Sequence, residues 1–298
     1  MTPEQRNEEV SRLETRRREI VADMLQEPFD ERHKDRGREG ELELIEERLL
    51  NLPPLIQTQG EWAPAGHGLV EPTPADFALL DAVGKPMSLE EAGIRVIPES
   101  EWSGYINGLG GEQVVFADRY VPGITNQGSV GSCAADAIAG CGMTLRETAG
   151  QRNTPTLNGY YLYSRTSGGV DRGSTLQANL ALMLQEGCCS ERVRPRSRGW
   201  RAVPTDAERR DAAKYRLQRY VQVRNWAEFG TMLLLNRPVY FGYTGHAIYA
   251  SRLLSTTQIV YVNSWGTNWG QNGRGTLSRN SILWSYGVYA LTAMVHDT

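Results

Sequence analysis

Residues 124–136 read Ile-Thr-Asn-Gln-Gly-Ser-Val-Gly-Ser-Cys-Ala-Ala-Asp, and no other run constrains this chain as strongly. Gln127 stands six residues before Cys133, with Gly128 and Gly131 bending the backbone between them. Residues 133–148 then carry a helical pattern, closed by Gly150. Ala137, Ile138, Cys141 and Leu145 share one face of that helix, which is expected to be buried. The Cys133 thiol opens the helix, where the backbone dipole stabilises negative charge.

The chain has 298 residues, enough for two compact domains or one domain with an extension. Hydrophobic residues make up 40% and charged residues 22%, so a sizeable core is expected. A net charge of -3 argues against a broad nucleic-acid-binding surface. The charge is uneven: residues 1–50 hold 10 Lys/Arg against 15 Asp/Glu, and the rest hold 22 against 20. No apolar run reaches the roughly 18 residues of a membrane span, and the N-terminus shows no apolar signal core. The expected location is the cytoplasm, or a virion or other particle. Four cysteines are few for a secreted chain of this size, and adjacent Cys188 and Cys189 read as buried thiols.

Residues 3–26 read as a charged helix with a narrow seam of Val10, Leu13, Ile20 and Met24. Leu42, Ile45, Leu49 and Leu52 suggest a second short helix stopped by Pro53-Pro54. Residues 1–52 are therefore an arm or hairpin, expected to self-associate or to dock on a particle. Residues 53–112 are rich in Pro and Gly and read as a wrapping linker, with helical turns at 74–83 and 88–92. Beyond residue 113 helices come first, at 133–148 and 175–186. Strands follow at 215–223, 238–243, 246–253, 258–262, 275–278 and 288–295, broken by a helix at 226–235. That order indicates an α+β fold of two lobes.

Downstream of Cys133 lie Gly245-His246-Ala247 and Asn263-Ser-Trp-Gly-Thr-Asn-Trp-Gly270. A thiol, an imidazole and an amide in that order are the parts of a cysteine-nucleophile acyl-transfer site. Taken singly, each has a plain structural reading: a small buried hydrophobe, a satisfied core histidine, a turn with a packed indole. Together, with Gln127 in front, the segments resemble the papain-like cysteine peptidases over residues 113–298. The resemblance implies a helical lobe and a β-barrel-like lobe flanking a cleft that takes a polypeptide substrate. It makes Cys133 the nucleophile, His246 the general base, Asn263 the group that orients the ring, and Gln127 an oxyanion donor beside the Cys133 N–H. Trp265 would cover the His246–Asn263 bond, and Gly168-Gly169 would let a substrate backbone lie along the cleft. Such enzymes often carry an N-terminal inhibitory segment through the cleft. Residues 1–112 stand in that place, without the family's helical signature, so 53–112 is a linker or a pro-segment.

Three departures from the family pattern bear on substrate preference. Ala134 replaces the aromatic that usually follows the nucleophile, Val130 replaces a bridge-forming cysteine, and the 113 residues from Cys133 to His246 are fewer than the typical roughly 130. His33, His67 and His296 lack ligand spacing around them, so no metal site and no cofactor is expected. The basic run Arg192–Arg201 contains Pro195 and Gly199 and reads as a solvated loop. The chemistry expected is peptide-bond hydrolysis through a thioester. A second reading is a papain-fold assembly protein of a phage particle or complex, with proteolysis self-directed or lost.

Overall fold

The computed structural model describes residues 68–107, 116–151 and 153–295, and eight positions between 5 and 19. The chain divides into one unit of Met1–Ala63 with Ser103–Gln113 and another of Pro64–Trp102 with Val114–Thr298. In the first unit all eight described positions of the arm are helical. Leu13 is buried, and Glu9–Arg12 and Arg16–Glu19 pair one turn apart at 2.7 and 3.5 Å. The expected second helix, His33, His67 and His296 lie outside the described residues.

The second unit contains the candidate site. Residues 68–102 share this unit with 114–298 and pack into it. Helix α1 (Pro74–Gly84) begins with Pro74 at its first position and with the Asp76 carboxylate accepting the Thr73 N–H at 2.8 Å. Further on, Gln222 N–H donates to Met87 O at 3.0 Å and Ile97 N–H to Thr231 Oγ1 at 2.9 Å. Trp102, first residue of α2 (Trp102–Asn107), is completely buried. Its Nε1 donates to Ile97 O at 3.0 Å, and its ring meets Trp226 edge-on at 5.9 Å.

Helix α3 (Cys133–Thr148) is buried from Cys133 to Glu147. Four alanines and two glycines keep it slim enough for the sheet to close on it. The sheet reaches the start of α3 at Ala134, whose carbonyl accepts the Tyr240 hydroxyl at 2.8 Å. Helices α4 (Gly159–Thr166) and α5 (Leu176–Gln185) pack against α3; α6 (Asp206–Ala212) follows, and α7 (Trp226–Leu234) packs on the sheet. Helix α4 carried no clear periodicity in the sequence. It is started by the Asn158 side chain, which accepts the Tyr160 N–H at 2.9 Å.

Among the described residues six strands form one antiparallel sheet in the order β1-β6-β2-β3-β4-β5. They are β1 (Leu217–Gln222), β2 (Val239–Tyr243), β3 (His246–Leu253), β4 (Gln258–Val262), β5 (Arg274–Ser278) and β6 (Val288–Met294). Tyr243 and His246 face each other across a two-residue turn, where Thr244 and Gly245 have φ of 45° and 72°. Both positive, they make the tight hairpin that follows the twist of its strands. The basic run corrects the sequence reading: Arg194 is wholly buried and Arg196 largely so. Arg194 donates to Glu208 Oε2 at 3.1 Å and to the carbonyls of Gly199 and Ala202. A charged side chain can be interior when most of its donors find acceptors; here Nη1 and Nη2 do, and Nε has no partner among the described residues.

Replacing Trp102 by Ala removes a fully buried indole, so denaturant unfolding should show a loss of about 3–5 kcal/mol. A loss below about 1 kcal/mol would mean that residues 68–102 merely lie on the unit.

Candidate active site

Cys133 is the first residue of α3, with Ser132 as its cap. The Cys133 side chain is completely buried. Burial pushes the thiol up from its ordinary 9.0 to about 12. The backbone N–H of Ala247 opposes that rise, the Asp136 carboxylate adds to it, and the N–H groups of Ala134 and Gly68 oppose it. Ala247 follows His246 directly, so the start of β3 lies against the sulfur.

The imidazole is held from its far side. His246 Nε2 lies 2.8 Å from Asn263 Oδ1. The same Oδ1 accepts the Ser264 N–H at 2.8 Å, which marks that atom as the amide oxygen. Nε2 therefore donates to Asn263 Oδ1, and Nδ1 is the ring nitrogen on the other side. The Trp265 ring lies 4.6 Å from the imidazole at 31°, and Trp269 meets Trp265 edge-on at 5.4 Å. His246 and Asn263 are both buried, so the bond sits in a dry, low-dielectric setting.

Gln127 is buried and held on three sides. Its Oε1 accepts from Ser264 Oγ at 2.5 Å, its N–H donates to Ser264 O at 2.8 Å, and its carbonyl accepts the Tyr160 hydroxyl at 2.9 Å. Nε2 donates one proton to Val130 O at 2.8 Å. The side chain has a second N–H to offer. Ser264 thus touches both the amide that orients the histidine and the loop before the cysteine.

A segment of the chain itself crosses this site. Leu69 N–H donates to Gly245 O at 3.2 Å, Val70 N–H to Ser174 O at 3.2 Å, and Ser174 N–H to Gly68 O at 2.9 Å. Leu69 pairs with Ser174 in a parallel bridge, and its buried side chain lies against Gly242 of β2. A side chain on Gly68 would strike the backbone of Gly131, and one on Gly173 would strike the Gly68 carbonyl. Backbone pairing beside the thiol thus falls on Ser174. Gly168 and Gly169, with φ of 65° and 83°, lie in the preceding turn with open space around Gly169. Sequence reasoning passed over Ser174, Tyr160 and residues 68–70. The one local signal was the small pair Gly173-Ser174 just before the Thr175 cap of α5.

Neither a protein-family model nor a curated relative matches the sequence. Among solved structures, the digestive procathepsin L2 proteinase of Tenebrio molitor larval midgut superposes with a TM-score of 0.59. It is 18% identical, over 93% of this chain and 92% of that one. The fold is papain-like. Procathepsin L 3 of the same midgut superposes at 0.51 with 13% identity, over 76% of this chain and 95% of that one. Xylellain, a cysteine protease from Xylella fastidiosa, covers 57% of this chain and 82% of that one at 18% identity and 0.49. In the papain-like fold of this chain, the α+β architecture read from the sequence is present, with α3 packed against the antiparallel sheet.

The raised thiol has a measurable consequence. While Gly68 is seated, alkylation of Cys133 by iodoacetamide should keep accelerating above pH 9.0, toward a midpoint of about 12. A rate already level at neutral pH would contradict this reading of the burial.

Proposed function

We propose that the protein is a cysteine endopeptidase that its own residues 68–70 keep closed. The observation that carries this reading is the His246 Nε2 to Asn263 Oδ1 hydrogen bond of 2.8 Å beneath Trp265, on the strand whose Ala247 N–H faces the sulfur. With a polypeptide in the cleft, Nδ1 of His246 takes the thiol proton and the sulfur attacks the scissile carbonyl carbon. The oxyanion is received by the Cys133 N–H and the second N–H of Gln127 Nε2. His246 then gives the proton to the leaving amine, and a thioester remains on Cys133. Water, deprotonated by His246, hydrolyses the thioester and frees the thiol.

The seated segment is a poor substrate for a geometric reason. Its Gly68 N–H faces the sulfur. Its Gly68 carbonyl is already engaged, accepting the Ser174 N–H at 2.9 Å. The segment also excludes water from the thiol, which keeps it protonated. Displacing residues 68–70 would therefore both open the cleft and lower the thiol pKa.

Leu69→Asp in the full chain buries a charge against Gly242 and should unseat the segment. Peptide hydrolysis should rise about tenfold or more, in proportion to the open fraction, and Cys133→Ala in the same background should abolish it. A folded Leu69→Asp protein that neither cleaves a peptide library nor reacts with iodoacetamide would sink the proposal.

A further inference from the structure

One side chain of the basic run reaches beneath the proposed nucleophile. Arg196 sits in a short 3₁₀ turn, Arg196–Arg198. Its Nη2 meets Oδ1 of Asp136, a buried carboxylate in the first turn of α3. Nη1 donates to Asn126 O at 3.3 Å, and Nε donates to Glu191 Oε1 at 2.8 Å. The guanidinium lies over the Tyr160 ring, 4.7 Å from its centroid. Tyr160 in turn donates to the Gln127 carbonyl at 2.9 Å. Asp136 also accepts from Ser132 Oγ at 2.7 Å. A single guanidinium therefore touches both sides of the oxyanion donors, Asn126 and Tyr160 on the Gln127 side and Asp136 on the Cys133 side.

We infer that Arg196 is a positioning residue that clamps the Gln127 loop to the first turn of α3 and so sets the gap between the Gln127 amide and the Cys133 N–H. This rests on the peptidase reading above. An oxyanion donor helps only where its N–H meets the developing charge, and an ångström of slack is costly. The rigid fork of arginine reaches Asp136, Asn126 and Glu191 together while stacking on Tyr160. Lysine offers one compact charge on a flexible stem and cannot hold all of these at once. Glu191 alone would be satisfied by a surface arginine. The contacts to Asn126 O and Asp136 bring the side chain inward.

The test compares Arg196→Lys with its parent, both in the full chain carrying Leu69→Asp. Lysine keeps a positive charge beside Asp136, so the charge near the thiol is retained while the fork is lost. We expect kcat for peptide hydrolysis to fall about tenfold to a hundredfold, short of the roughly 10²–10³ for deleting an oxyanion donor, with KM changed by less than about twofold. Cys133 alkylation by iodoacetamide builds no oxyanion and should also stay within about twofold. Hydrolysis as fast as the parent's, or alkylation slowed by the same factor as hydrolysis, overturns the clamp. Amide hydrogen exchange in the chain without Leu69→Asp supplies a readout free of catalysis. Arg196→Lys should speed exchange across residues 126–132 and leave the β2–β3 hairpin unchanged. Equal exchange across 126–132 in the two proteins also overturns the clamp. Failure of the Leu69→Asp parent to cleave or react counts against the peptidase reading, while exchange still decides the clamp.

Discussion

A helix buried along nearly its whole length sets the terms for everything around it. From Cys133 to Glu147 α3 has no solvent-facing side, yet it carries Asp136, Thr144, Arg146 and Glu147. Each buried polar group must be met by a partner or cost a few kcal/mol. Arg196 meets Asp136, Tyr249 meets Thr144 at 3.0 Å, Val295 O accepts from Arg146 at 2.5 Å, and Thr154 N–H donates to Glu147 at 2.7 Å. These partners come from a loop, from the sheet and from the chain's end. Satisfying one helix thus ties distant segments into one arrangement, with the sulfur at its start.

Dryness at that sulfur has two opposing effects. It strengthens the His246–Asn263 bond under Trp265, because no water competes there. It also raises the thiol, because a thiolate without solvent or a facing cation is costly. Three backbone N–H groups oppose that rise without cancelling it. One of them belongs to Gly68, so a residue far away in sequence supplies one of the donors that moderate the thiol. The environment of Cys133 is therefore set by β3 and residue 68 as well as by the helix N-terminus.

The strands and most helices of the second unit lie within a residue or two of where periodicity placed them. Cys133, His246 and Asn263 each stand at a punctuated position: a helix start, the residue after a Thr-Gly hairpin turn, and the residue after β4. Punctuation of that kind is local, so it shows in a single sequence. Helix α4 was hidden because Gly159–Thr166 is rich in aromatic and polar residues and is started mainly by Asn158 and its packing. Gly173 is the small residue that the Gly68 backbone touches, and that need for a glycine exists only once the two segments meet.

Composition, periodicity and turn residues, all short-range properties, were enough to determine the α+β order of elements and the identity of the candidate thiol, imidazole and amide. Tertiary structure alone decided that Arg194 and Arg196 turn inward, that the Tyr240 hydroxyl meets Ala134 O, and that Gly68 comes to the sulfur. Most of those outcomes depend on distant partners, such as Asn126 for Arg196, Ala134 for Tyr240 and Gly245 for Leu69, whereas Arg194 finds its acceptors at Gly199, Ala202 and Glu208 of its own stretch. An arginine beside a proline reads as solvated until a buried carboxylate is brought to it, because the cost of burying a charge is cancelled only by groups that folding delivers.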